Sequence, residues 1–169
     1  MTQTKKKTTT TRKTAVKRVK LPPNPFIHEI LELVSEQRTK AKRVDILKEY
    51  RDDSLTAVLI WNFDDRVQAA IPDGQVPYEP NDVPVGTDHT SLRREWKTLY
   101  HFIVGGNPTL SSLRRESMFI QLLEGLHPKE AEIICLVKDK ELESVYSKVT
   151  LDVVKLAFPD IIWGENRGS

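Results

Sequence analysis

The residue types that carry chemistry are few in this sequence of 169 residues, and they are spread apart. Cys135 is the single cysteine. It lies inside the apolar run Ala131–Lys138, where a thiol packs as a small hydrophobe rather than acting as a nucleophile. One thiol allows no intrachain disulfide, a usage that fits a reducing compartment. His28, His89, His101 and His127 fall at no metal-ligand spacing, and the chain has no HExxH, no CxxC and no Gly-rich phosphate-binding fingerprint. No metal and no cofactor is therefore expected. The best titratable grouping near a loop is Asp88-His89 with Tyr100-His101. Acid–base chemistry there needs the two pairs to face one cleft, and helix caps or partly exposed histidines explain the same residues equally well. No catalytic residue is assigned. The expectation is a protein that is not an enzyme and has no small-molecule substrate.

What the sequence does concentrate is positive charge. Residues 1–20 hold Lys5, Lys6, Lys7, Arg12, Lys13, Lys17, Arg18 and Lys20, eight bases and no acid. Residues 21–169 hold 18 bases and 24 acids, a net charge of −6. The overall +2 thus describes neither part. The Thr/Lys-rich arm has almost nothing to bury, so it is expected to be disordered when free. Eight cations suit a nucleic-acid backbone or another polyanion, because each neutralised phosphate releases a counterion. They would confer little sequence specificity. A merely solubilising tail has the same composition.

The body must be assembled from short helices. Leu21-Pro22-Pro23-Asn24-Pro25 forms a stiff junction. Periodicity then predicts helices over about Phe26–Gln37, Lys40–Tyr50 with Thr39 as cap, and Leu55–Phe63 with Ser54 as cap. The strongest pattern is Thr87–Val104. There Leu92, Trp96, Leu99, Tyr100 and Ile103 form one helical stripe, with Arg93, Arg94, Lys97 and His101 opposite and Thr87 or Asp88 as cap. Further helices are expected over Leu113–Glu124 behind Ser111 or Ser112, from Pro128 through Lys138, over Lys140–Tyr146, and after Thr150 until Pro159. Their inward faces take in Ala41, Leu113 and Val145. Val67–Ile71 is a possible strand. The end piece Asp160–Gly164 either folds back or is offered to a partner. No apolar run approaches the roughly 20 residues of a membrane span, and no apolar stretch follows the basic start as in a secretory leader.

The expected fold is all-α: a compact bundle of seven or eight short helices packed around the Leu92/Trp96/Leu99/Tyr100/Ile103 stripe, with one long Pro-rich loop and a disordered basic N-terminal arm. The divisions are an arm at 1–20, a junction at 21–25, one helical domain at 26–163 and a disordered end at 164–169. The long loop, Pro72–Gly86, carries Asp73, Glu79 and Asp82 and no base. It is either a strap over the core or a protein-docking loop presenting Val76, Tyr78 and Val83. Arg93, Arg94, Lys97, Arg114 and Arg115 make a possible secondary basic surface. Arg114 and Arg115 stand in a first turn, the wrong end for the helix dipole, a weak hint of an acidic partner.

Leu126–Lys155 has the cadence of a helix-turn-helix, about three residues short in the middle. Its would-be reading helix carries Lys155 as its only base, against Asp152. A DNA-binding regulator is thus an alternative, with three packed helices as the plain account.

The segments VPYEPNDVPVGTDHTSL, FIVGGNPTLS, MFIQLLEGLHPKEAEIICLVKDKEL and VVKLAFP resemble a family of small proteins encoded by large contractile-tailed phages of marine cyanobacteria. The resemblance covers roughly Phe26–Pro159 and carries over no active-site residue. It implies an intracellular phage product, in the host cytoplasm, or a virion component. The expected function is a non-enzymatic binding protein. Its arm contacts nucleic acid or another acidic surface, and its acidic body docks a phage or host protein, with no membrane partner. The rival is a virion structural or head-assembly protein whose arm threads into neighbouring subunits or lies on packaged DNA.

Overall fold

Thr39, Asp52, Ser111 and Thr150 each stand just before a helix, and each accepts a backbone N–H of its first turn: Lys42 at 3.3 Å, Leu55 at 2.8 Å, Arg114 at 3.2 Å and Val153 at 3.4 Å. Each satisfies a donor that the helix itself leaves orphaned, worth about 1 kcal/mol. The computed structural model describes residues 21–84 and 89–164. Among these, eight α-helices follow in order: α1 (Ile27–Glu36), α2 (Lys40–Glu49), α3 (Asp53–Phe63), α4 (Leu92–Glu95), α5 (Ser112–Gly125), α6 (Pro128–Lys138), α7 (Leu142–Val145) and α8 (Leu151–Ala157). A 3₁₀ helix, Trp96–Phe102, continues α4. No strand occurs among the described residues. Val67–Ile71 contributes only an isolated antiparallel bridge, Ala69 with Ile103. The expected all-α class is what the chain adopts. The arm at 1–20, the Thr87/Asp88 cap and the end at 165–169 lie outside the described residues.

The centre of the bundle is α6, not the 87–104 stripe. It packs against α1, α3, α5 and α7, and its Ala131, Ile133, Ile134 and Val137 are fully buried. Full burial of an Ile or Val contributes about 1.5–3 kcal/mol each. The stripe itself is broken. After Glu95 the chain tightens to three residues per turn, with the Thr98 hydroxyl donating to the Glu95 carbonyl at 2.7 Å. At that period Trp96, Leu99 and Phe102 share a face. Phe102 goes inside against Phe119, and Tyr100 turns out to 48% exposure. Ala41, Leu113 and Val145, expected inward, are also exposed. Ile46 takes the buried place on α2 instead.

The end piece folds back. Trp163 meets Phe158 edge-on at 6.4 Å, and the Gly164 carbonyl accepts from Asp65 N at 2.9 Å. Arg51 grips Asp160 through two bonds of 2.6 and 2.7 Å.

The long loop behaves as a strap through its described part. Lys138, 3% exposed, donates from Nζ to the Pro72 and Gly74 carbonyls at 2.9 and 3.1 Å and to Asp139 at 2.5 Å. Val76 and Tyr78 pack against the core, and Tyr78 lies beside Cys135. Further along, Glu79 N donates to Glu124 at 3.2 Å.

Candidate functional site

Three helix starts converge at one end of the bundle. Glu130, in the first turn of α6, is 1% exposed. One of its oxygens accepts from Ile27 N, at the head of α1, and the other from Leu92 N, at the head of α4, both at 3.0 Å. A single carboxylate thus serves two other helices where their dipoles favour negative charge. Burial pushes its pKa up, and the two backbone donors pull the other way. Phe26 N is satisfied separately by Glu29 at 2.9 Å.

Around this junction the structure gathers three of the four histidines. His28 stacks on His127 at 4.6 Å between ring centroids, and His89 lies against His127 at 5.4 Å. The His127 Nδ1 accepts from Lys129 N at 3.1 Å, so it caps α6 only while that nitrogen carries no proton. His28 is buried, and its Nδ1 has no partner among the described residues. Burial first, then the neighbouring His127, lowers its pKa to about 4. No metal-binding group of side chains occurs among the described residues. His101 is elsewhere: its ring lies by Tyr100 at 4.0 Å and its Nδ1 bonds Asn107 at 3.0 Å. The grouping of His89 with Tyr100 and His101 that the sequence suggested is therefore split between two places, and Asp88 lies outside the described residues.

Beside the junction opens a cleft of about 240 Å³, whose lining brings together residues 24–27, His89, Ser91, Arg93, Arg94 and Glu130. Arg93 is held in place. It pairs with Asp52, the cap of α3, at 2.6 Å and donates to the Pro25 carbonyl at 3.3 Å. Arg94 is exposed, and its guanidinium has no partner among the described residues.

The other expected bases are dispersed. Lys97 is exposed and sits over the Trp96 ring at 5.8 Å. Arg114 is exposed at the start of α5. Arg115 points inward and donates to the carbonyls of His101, Asn107 and Leu110 at 2.9, 3.1 and 3.1 Å, which ties down the 101–110 loop. The expected secondary basic surface is therefore not one patch: Arg93 and Arg115 are structural ties, and only Arg94 adjoins a cleft. Of the loop residues, Val76 and Tyr78 face the core and Val83 is 39% exposed. The eight bases of the arm, Lys5 to Lys20, lie outside the described residues.

Residues 30–144 match a family described as a family of unknown function, DUF6433. The chain belongs to that family. No curated protein and no solved structure matches it. The DUF6433 match takes in Glu130, Lys138, the strap and Arg93–Arg94, and leaves out the arm, residues 24–27 of the cleft wall and α8. The helix-turn-helix cadence folds as α6, a single turn α7 and α8, and α8 packs on α2.

One partial signal for the junction was legible in the sequence. A glutamate in the first turn of a Pro-started helix has the right sign for the dipole. Nothing local says that it serves two other helices, one of them 103 residues away.

Proposed function

We propose that this member of DUF6433 is a non-enzymatic binding protein of phage infection or assembly. Its basic arm contacts nucleic acid, and its acidic body docks a protein. The observation that carries this reading is the charge partition: eight bases without an acid in residues 1–20, against a net −6 in the rest. A polycation carried by an acidic body is suited to hold a phosphate backbone. The non-enzymatic half rests on the junction chemistry. The clustered His127 and Glu130 are engaged as caps of helix ends rather than left facing a reaction space.

The test is a salt titration of binding to random duplex DNA. It compares the full chain with a full-length variant whose eight arm bases are glutamine. The full chain is expected to lose affinity linearly in log salt, by about 0.9 per phosphate contacted, and the variant to bind weakly with a shallow slope. Equal, shallow binding by both removes the nucleic-acid reading. A fixed copy number in washed virions selects instead the head-assembly reading, with the arm on packaged DNA or neighbouring subunits.

A further inference from the structure

Leu21, the first described residue, packs against the core three residues before the cleft lining begins. Leu21 is followed by Pro22-Pro23, and the next four residues, Asn24 to Ile27, line the cleft. Two consecutive prolines restrict this connection, which bends at Pro23 and Asn24. Only three residues, Leu21 to Pro23, thus separate the last base of the arm from the lining in which Arg93 and Arg94 stand.

Three backbone donors beside the cleft are already taken. Phe26 N is bonded to Glu29, and Ile27 N and Leu92 N to Glu130. What remains is a guanidinium without a partner among the described residues, Arg94, next to a second one that Asp52 and Pro25 hold still. A planar guanidinium fork matches two phosphate oxygens. Such a seat is weak alone and becomes useful only when a tethered polymer raises the local phosphate concentration.

We infer that this cleft seats one backbone phosphate of the nucleic acid held by the arm, with Arg94 as its direct contact and Arg93 as a fixed second cation. The inference rests on the nucleic-acid reading above and names the body's part in it. Arg114 supplies the control. It is an exposed arginine in the first turn of α5, 11 residues and so about 16 Å along the helix from Gly125, whose carbonyl bonds Thr90.

The experiment measures fluorescence anisotropy of random duplex DNA across a sodium chloride series, with full-length wild type, Arg94→Gln, Arg114→Gln and the arm-neutralised chain. Circular dichroism checks that each is folded. Arg94→Gln is expected to reduce the log–log salt slope by about one and to weaken binding several-fold at the lowest salt, and Arg114→Gln to match wild type. Inorganic phosphate at matched ionic strength is expected to compete no better than chloride. If Arg94→Gln matches wild type while the arm-neutralised chain loses binding, the inference fails and the functional reading stands. If both single variants lose slope equally, net charge is responsible and the cleft is no seat. Selective displacement by inorganic phosphate, or displacement by polyglutamate as effective as by DNA at equal charge, also overturns it. Absence of salt-dependent binding by wild type sinks both proposals together.

Discussion

Both ends of α6 bury a charge, of opposite sign, and each charge collects the loose backbone groups of other segments. At the first turn Glu130 gathers two N–H groups, from α1 and α4. At the last turn Lys138 gathers two carbonyls of the strap. Just beyond it, Lys140 takes a positive φ of 56° and donates to the Trp61 and Asp64 carbonyls at 2.7 and 2.9 Å, closing the end of α3. The two ends apply one rule: a side chain of the right sign satisfies orphan donors at helix starts and acceptors at helix ends. They differ in what surrounds them. The acidic end lies in a nest of three imidazoles, His28, His89 and His127, and the basic end is built on the ammonium groups of Lys138 and Lys140.

The largest effect separating the ends is expected from Glu130→Ala. Two buried N–H groups lose their acceptor, at about 1–3 kcal/mol each. Denaturant unfolding should show a loss of about 3–5 kcal/mol, and Glu130→Gln should recover part of it, since an amide oxygen can still serve one donor. At the other end, Lys138→Met leaves the Pro72 and Gly74 carbonyls and Asp139 without their cation. A loss of about 2–4 kcal/mol is expected. Hydrogen exchange should speed up in the strap and not at the heads of α1 and α4. Equal acceleration at both places would show that the two ends are not independent.

Acid should then loosen only one end. A histidine whose folded pKa is depressed gives its full stabilisation above the unfolded value near 6.5 and loses it as pH falls toward the folded value. For His28, at about 4 in the fold, the loss between pH 7 and pH 5 is about 2 kcal/mol. His127, also lowered, acts in the same direction. Glu130, with a raised pKa, acts in the opposite one, adding stability in acid and losing it as pH rises through its folded value. Glu29, Glu32, Lys129 and Arg93 are the charged side chains that act on these three. Proton NMR of the four imidazoles, with a stability–pH curve, checks this; a His28 midpoint near 6.5 removes the argument.

The smallest effect is the most specific. Lys129 pairs with Glu32 at 2.8 Å in the open, so Lys129→Ala should change stability by less than about 1 kcal/mol. It removes a cation that depresses His28 and His127 and frees a carboxylate that raises them. Both imidazole midpoints should therefore move up while the unfolding free energy barely changes.

Local signals were legible in the sequence, and long-range ones were not. Thr39, Ser111, Pro128 and Thr150 announce helix starts because capping involves neighbours three residues apart. The 96–102 stretch misled because a 3.6-residue stripe and a three-residue one share Trp96 and Leu99 and part company only at Tyr100 and Phe102. Ser54 looked like the cap of α3, but Asp52 holds that place and also anchors Arg93. Arg115 read as a surface base because nothing nearby in sequence marks the three carbonyls it serves. Glu130 and Lys138 resemble ordinary surface charges in the sequence. Their roles depend on residues brought up from 38 to 103 positions away.

The strap has a practical corollary for anyone attaching a dye to this chain. Its one thiol sits under Tyr78, and burial pushes the thiol's pKa up to about 11, so alkylating reagents should find Cys135 sluggish while the strap is seated. The rate of maleimide capture then becomes a clock for how often that segment lifts.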